Sequence, residues 1–197
     1  MHKKLRVGIL VFNEVEVLDF AGPFEVFSLA EKDNKKLFEV ITIGQFPEII
    51  SARNGLKISP NSSFADNPDI DILIVPGGYG AEEIEIKNSL LLDWIKNQHQ
   101  KTQLTTSVCT GALLLAECGL LNHKKATTHW MDLDRLETEY PLVHVIRNVK
   151  YVDEQEIITS GGISAGINMS FYIIKNLYGV EIAKSTAKKM EYDIEIK

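Results

Sequence analysis

The run Gln103 to Leu121, QLTTSVCTGALLLAECGLL, constrains this chain more than any other stretch. A short strand-like segment breaks at Cys109 and continues at once as an almost wholly apolar helix, which Gly119 is suited to end. A strand that turns sharply into a helix pushes one side chain out above its sheet, and the first N–H groups of the helix then point toward negative charge. A thiol at that turn is expected to titrate low, since a helix N-terminus favours the thiolate. A buried packing cysteine has the same local signature. The flanks Ser107, Thr110 and Gly111 favour a working group: Thr110 offers a hydroxyl beside the sulfur, and Gly111 permits close approach.

The rest of the chain repeats this plan. Leu5 to Phe12 is continuously apolar, as in a parallel strand covered on both faces. It leads through Asp19 to Pro23, read as a first helical position, with the helix carried by Phe24 to Ala30. Asp19 is thus expected in the connection after strand one, at the carboxyl edge where open α/β sheets hold ligands; bonding the Gly22-Pro23 turn is its alternative role. Phe38 to Gly44 reads as a second strand, and Asn54-Gly55 marks a hairpin between residues 48 and 59. Ile70 to Val75 runs into Gly77-Gly78-Tyr79-Gly80, whose backbone amides suit an oxyanion hole if they lie beside Cys109. Ser89 is expected to cap a helix over 89–100.

Beyond the central helix, Lys125 to Trp130 is read as a strand carrying His129, a candidate base for Cys109 or a histidine at the core edge. Met131 to Tyr140 suggests a helix. Val143 to Thr159 reads as a hairpin turning at Asp153-Glu154-Gln155, and Gly161-Gly162 leads into a helix over 167–178. An amphipathic segment over 180–192 closes the pattern. The expected fold is α/β: a flavodoxin-like, doubly wound, mostly parallel sheet with helices on both faces, in one domain spanning residues 1–197. Asp19 and the three glycine-containing turns should share one sheet edge.

Composition narrows the function classes. A formal charge of −6 gives no basic excess to neutralise phosphates, so nucleic acid is not expected as a partner. The basic clusters His2-Lys3-Lys4 and Lys188-Lys189 read as solvated faces. Two cysteines nine residues apart along one strand-helix unit make no disulfide framework and suit a reducing cytoplasm. No leader and no apolar run near ~18 residues is present, so no membrane partner is expected. The His and Cys residues lack ligand spacing, and neither a metal nor another cofactor is implied.

Five segments, VGILVFNEVEVLDFAGPFEVF, ILIVPGGYG, SVCTGALLLAECGLL, KATTHW and TSGGISAGIN, together resemble the DJ-1/PfpI superfamily of class I glutamine amidotransferase-like folds. The resemblance runs from about Val7 to Tyr192. LDFAGP, the Cys-Thr-Gly turn and Thr-Thr-His-Trp are most similar to the isocyanide hydratase branch, and also to the sensor domain of some AraC-type regulators. Protease-like members carry histidine directly after the cysteine, where this chain has Thr110. DJ-1-like members carry a glutamate from the loop after strand one; Asp19 matches the hydratase aspartate instead, and Glu14 and Glu16 fall out of position. The regulators add a helix-turn-helix domain, which is not expected in a chain that stops at Lys197.

The resemblance implies a cysteine-dependent hydratase that converts an isocyanide to an N-substituted formamide. Cys109 would attack, Asp19 would move protons, and Thr110 would orient the intermediate. Backbone N–H groups of Gly77, Gly78 and Thr110 would stabilise charge, while Phe20, Tyr79, His129, Trp130 and Gly162 would line the site of a small, largely hydrophobic substrate. A homodimer is implied as well. The alternatives within the superfamily are a glyoxalase-type enzyme acting on reactive carbonyls, a redox sensor oxidised at Cys109, and a binding domain without catalysis.

Overall fold

The computed structural model describes residues 4–196, so His2 and Lys3 of the N-terminal basic cluster lie outside the described residues. Seven strands form one sheet: β1 (Leu5–Leu10), β2 (Phe38–Gly44), β3 (Ser62–Ser63), β4 (Ile72–Val75), β5 (Leu104–Ser107), β6 (Tyr151–Asp153) and β7 (Ile157–Ser160). Their spatial order is β6-β7-β5-β4-β1-β2-β3, and only β6 runs antiparallel to its neighbour. The apolar runs occupy the middle: β1 pairs Val7 with Val40 on one side and with Ile72 on the other. From β1 the chain moves outward to β2, whereas β4 lies on the opposite flank. The β1–β4 seam is therefore the point at which strand order reverses, and the crevice beyond the carboxyl ends there is where such sheets bind ligands.

Six helices flank the sheet: α1 (Val17–Leu29), α2 (Ser89–His99), α3 (Gly111–Glu117), α4 (Leu133–Glu139), α5 (Ala165–Tyr178) and α6 (Val180–Lys189). α1, α5 and α6 pack on one another, as do α2 and α3. Residues 111–116 of α3 are all buried, which matches its almost unbroken apolar sequence, and Gly119 takes φ 73° just beyond its end. No described helix is long and apolar enough to cross a membrane.

Four local expectations give way. α1 begins at Val17 rather than Pro23, so Asp19 lies in its first turn and not in the connection. Pro23 sits inside the helix and denies the Asp19 carbonyl its usual i+4 donor. Burial of Phe20, Val26 and Phe27 on the core face holds the turn regardless. Asn88, not Ser89, caps α2: its side chain accepts from the Leu91 N–H at 3.3 Å. The expected strand over 125–130 is only Lys125–Ala126, paired with His144–Val145 outside the main sheet. Thr127 and Thr128 have β-branched, strand-like chemistry, but they bond across to other elements: the Thr127 N–H donates to the Thr159 hydroxyl, and the Thr128 hydroxyl donates to the Cys109 carbonyl. The hairpin expected from Val143 consequently shrinks to β6 and β7, still turning at residues 154–156.

Candidate active site

Three chain segments converge at the β1–β4 seam. α1 supplies Asp19, the turn after β4 supplies Gly77 and Gly78, and the turn after β5 supplies Cys109 and Thr110. The Gly77 N–H donates to Asp19 Oδ2 at 3.0 Å, and the Gly78 N–H donates to Thr110 Oγ1 at 2.9 Å. This contact leaves no room for a side chain. A Cβ on Gly77 would lie 2.5 Å from the Thr110 nitrogen and hydroxyl, and one on Gly78, at φ 113°, would lie 2.5 Å from the Glu16 nitrogen. The two glycine amides are thus already committed to side chains. They are not the free donors that an oxyanion hole built from Gly77 and Gly78 requires.

Cys109 stands between β5 and α3 with φ 56°, a left-handed conformation that costs a non-glycine residue roughly 1–2 kcal/mol. Neighbours pin it there: its N–H donates to the Gly161 carbonyl at 3.1 Å, and its carbonyl accepts the Thr128 hydroxyl at 2.8 Å. Cys109 is only 6% exposed but reaches a cleft of about 420 Å³ lined by Glu16, Arg53, Gly78, Tyr79, Glu82, Cys109, His129, Met131, Asp132 and Ile163.

The electrostatics run against a low thiol pKa. Burial pushes Cys109 up, the Asp19 carboxylate opposite pushes it further, and Glu82 adds to the same effect. The N–H groups of Thr110 and Ile163 favour the thiolate, but they do not outweigh desolvation. Asp19 is fully buried, and burial raises its carboxyl to about 7; the Gly77 N–H lowers it and Glu16 raises it. Asp19 Oδ1 has no hydrogen bond of good geometry. The Cys109 thiol and the Ile163 N–H act on the carboxylate as minor influences that favour its charged form. A buried acid and a buried thiol therefore face each other: the carboxylate opposes ionisation of the thiol, the thiol slightly favours the carboxylate, and the first proton to leave the pair is that of Asp19.

The remaining expected lining residues separate. Tyr79 and His129 line the cleft. Phe20 is buried in the core, Trp130 is 74% exposed, and neither contributes to the wall. Gly162 stands behind His129, whose imidazole a methyl group there would overlap. His129 is at the start of a short 3₁₀ turn; its Nδ1 accepts the Met131 N–H at 3.4 Å and lies 3.6 Å from Asp132, with no hydrogen bond to Cys109. Ile163 was not singled out by the sequence. Its φ of 51° is unusual for a β-branched residue, and its N–H serves both Cys109 and Asp19. The Gly161-Gly162 pair before it was the available signal. Among the described residues no group of three or more His, Cys, Asp or Glu side chains is placed to hold a metal ion.

Comparison with known proteins agrees with this fold. The DJ-1/PfpI family model matches residues 5–176. The chain belongs to that family. Isonitrile hydratase from Pseudomonas putida is 33% identical over 188 residues, covering 95% of this chain and 78% of the relative. This DJ-1/PfpI protein is also 23% identical to the HTH-type transcriptional regulator GbdR of Pseudomonas aeruginosa, where the match spans 95% of this chain but only half of the regulator. A ThiJ/PfpI family protein from Pseudomonas syringae superposes with a TM-score of 0.87 at 24% identity, covering 98% of this chain and 77% of that one, and shares the fold.

Proposed function

We propose that this protein is an isonitrile (isocyanide) hydratase that uses Cys109 as nucleophile and Asp19 as the proton-moving group. The observation that carries the reading is the buried Asp19–Cys109 pair, with an acid whose pKa lies at about 7 beside a thiol that opens onto a cleft. Its identity to a hydratase over nearly the whole chain supports the same reaction. Proton transfer by a carboxyl group tuned near the working pH is worth roughly 10²–10⁴ in rate.

In the proposed cycle Asp19 accepts the thiol proton as sulfur bonds to the terminal isonitrile carbon, then delivers that proton to the same carbon. The product is a thioimidate, R–N=CH–S–Cys109. Water adds to this carbon as Asp19 takes one of its protons and passes it to nitrogen. The C–S bond then breaks, the remaining hydroxyl becomes the carbonyl, and its proton returns to sulfur. The sum is one water consumed and one N-substituted formamide, R–NH–CHO, released. The Thr110 and Ile163 N–H groups support the sulfur while it carries negative charge; of the three amides expected to stabilise charge, Thr110 keeps such a role, and Ile163 takes the place of Gly77 and Gly78. Thr110 Oγ1 anchors the Gly78 loop, and His129 serves as wall rather than base. The protein is further proposed to work as a homodimer.

The test is to incubate reduced protein with cyclohexyl isocyanide and follow N-cyclohexylformamide by mass spectrometry. Wild type should turn over, while Cys109→Ala and Asp19→Asn should each lose on the order of 10²-fold or more. Folded wild type that yields no formamide would refute the assignment.

A further inference from the structure

The cleft above Cys109 carries an uneven charge. Glu16, Glu82 and Asp132 bring three carboxylates to its wall, against one guanidinium, Arg53, and one imidazole, His129. The balance is negative whether or not the imidazole holds a second proton. Arg53 is also engaged: it lies 3.8 Å from Glu14, which is not part of the wall, and 5.8 Å over the ring of Tyr79, which is. His129 lies 3.6 Å from Asp132. Arg53 and His129 are therefore occupied within the protein, whereas neither the Glu16 nor the Glu82 carboxylate forms an ion pair among the described residues; Arg135 reaches Glu82 only at its carbonyl oxygen, at 3.3 Å, and pairs with Glu83 and Glu139. Glu16 raises the Asp19 carboxyl and Glu82 raises the Cys109 thiol, so both fields reach the reacting groups at the floor.

A cleft lined by one sign of charge, with low-dielectric walls, concentrates ligands of the opposite sign and repels those of its own. We propose that Glu16, Glu82 and Asp132 make this cleft charge-selective, admitting neutral or amine-bearing isonitriles to Cys109 and turning away those that carry a carboxylate. The substrate class rests on the hydratase reading, but the charge filter can be measured without it.

The experiment compares the rates at which three methanethiosulfonates modify Cys109 in the reduced, full-length protein: a neutral methyl, a cationic aminoethyl and an anionic sulfonatoethyl reagent. Each rate is divided by that of the same reagent with 2-mercaptoethanol, and peptide mass spectrometry separates Cys109 from Cys118. The anionic reagent should be slower than the neutral one by on the order of ten-fold at low salt, with the cationic reagent at least as fast as the neutral. High salt and the Glu16→Gln/Glu82→Gln double variant should each shrink the ratio. Equal or faster reaction with the anion would overturn the proposal, and so would failure of all three reagents to reach Cys109. In parallel, methyl isocyanoacetate and isocyanoacetate are offered as substrates. Turnover of both at equal efficiency retains the hydratase and removes the filter. Charge-ordered labelling without turnover of any isonitrile retains the filter and removes the hydratase.

Discussion

At the scale of single residues, Asp19 makes the sharpest commitments. Unfolded, its carboxyl ionises near the ordinary value of 3.8; folded, it keeps its proton to about 7. Between those limits the native state binds more protons than the unfolded chain, so Asp19 reduces stability as pH rises through that window, and the loss is complete above it. Asp19→Asn should therefore raise Tm at pH 8 and change it little at pH 4, where the wild-type carboxyl is already neutral; a scanning calorimeter at the two pH values checks both. The proposed chemistry needs the pair with one proton removed, because a protonated Asp19 cannot accept the thiol proton. For a neutral isonitrile, kcat/KM should accordingly climb as pH passes through about 7 and then level off, and a pH profile of formamide production tests this. Stabilising this protein and disabling it are expected from the same substitution, as when a buried functional acid is kept at a cost to the fold.

At the scale of elements, the site depends on turns that hold one another. Thr110 is fully buried, and its hydroxyl is the acceptor for the Gly78 N–H. Thr110→Val keeps the shape but orphans that N–H, which should cost ~1–3 kcal/mol and lower Tm, while Thr110→Ser, which keeps the oxygen, should lose far less. Activity should follow the same order, since the loop bearing Gly77 also supplies the donor to Asp19. Thr128 does the equivalent for the Cys109 carbonyl from a different segment. Thr128→Val should depress turnover more than Thr127→Val, because Thr127 is tied to Thr159 through its backbone N–H, which the substitution leaves in place. Formamide assays on the two valine variants, with circular dichroism to establish folding, provide the comparison.

For the whole molecule, the proposed dimer gives a simple expectation: light scattering behind gel filtration should return twice the mass of one chain at micromolar concentration, and a mass equal to one chain would remove that proposal. The sheet order explains why substitutions far apart in sequence act together. Asp19, Gly77, Cys109 and Ile163 follow different strands, but the carboxyl ends of β1, β4, β5 and β7 bring them to one crevice.

Much of this is legible in the amino-acid sequence. The continuous apolar runs at Leu5 and Ile70, and the break at Cys109 into an apolar helix, specify a buried parallel sheet with glycine turns on one edge, because hydrophobic periodicity and turn chemistry are local properties of the chain. The same local signals misjudged the start of α1 and the segment over 125–130. In the first, core burial overrode the boundary suggested by Pro23; in the second, threonines with strand chemistry spent their polar atoms on other elements. Tertiary structure alone decided the electrostatics. Sequence puts Cys109 at a helix start and so predicts an acidic thiol, but only the packed molecule sets it in a dry pocket opposite Asp19, where desolvation and a neighbouring negative charge exceed what a few backbone N–H groups return. Which N–H groups remain for the sulfur was likewise a tertiary outcome: the amides of Gly77 and Gly78 are taken by Asp19 and Thr110, while that of Ile163, more than fifty residues beyond Cys109, reaches it because β7 lies beside β5.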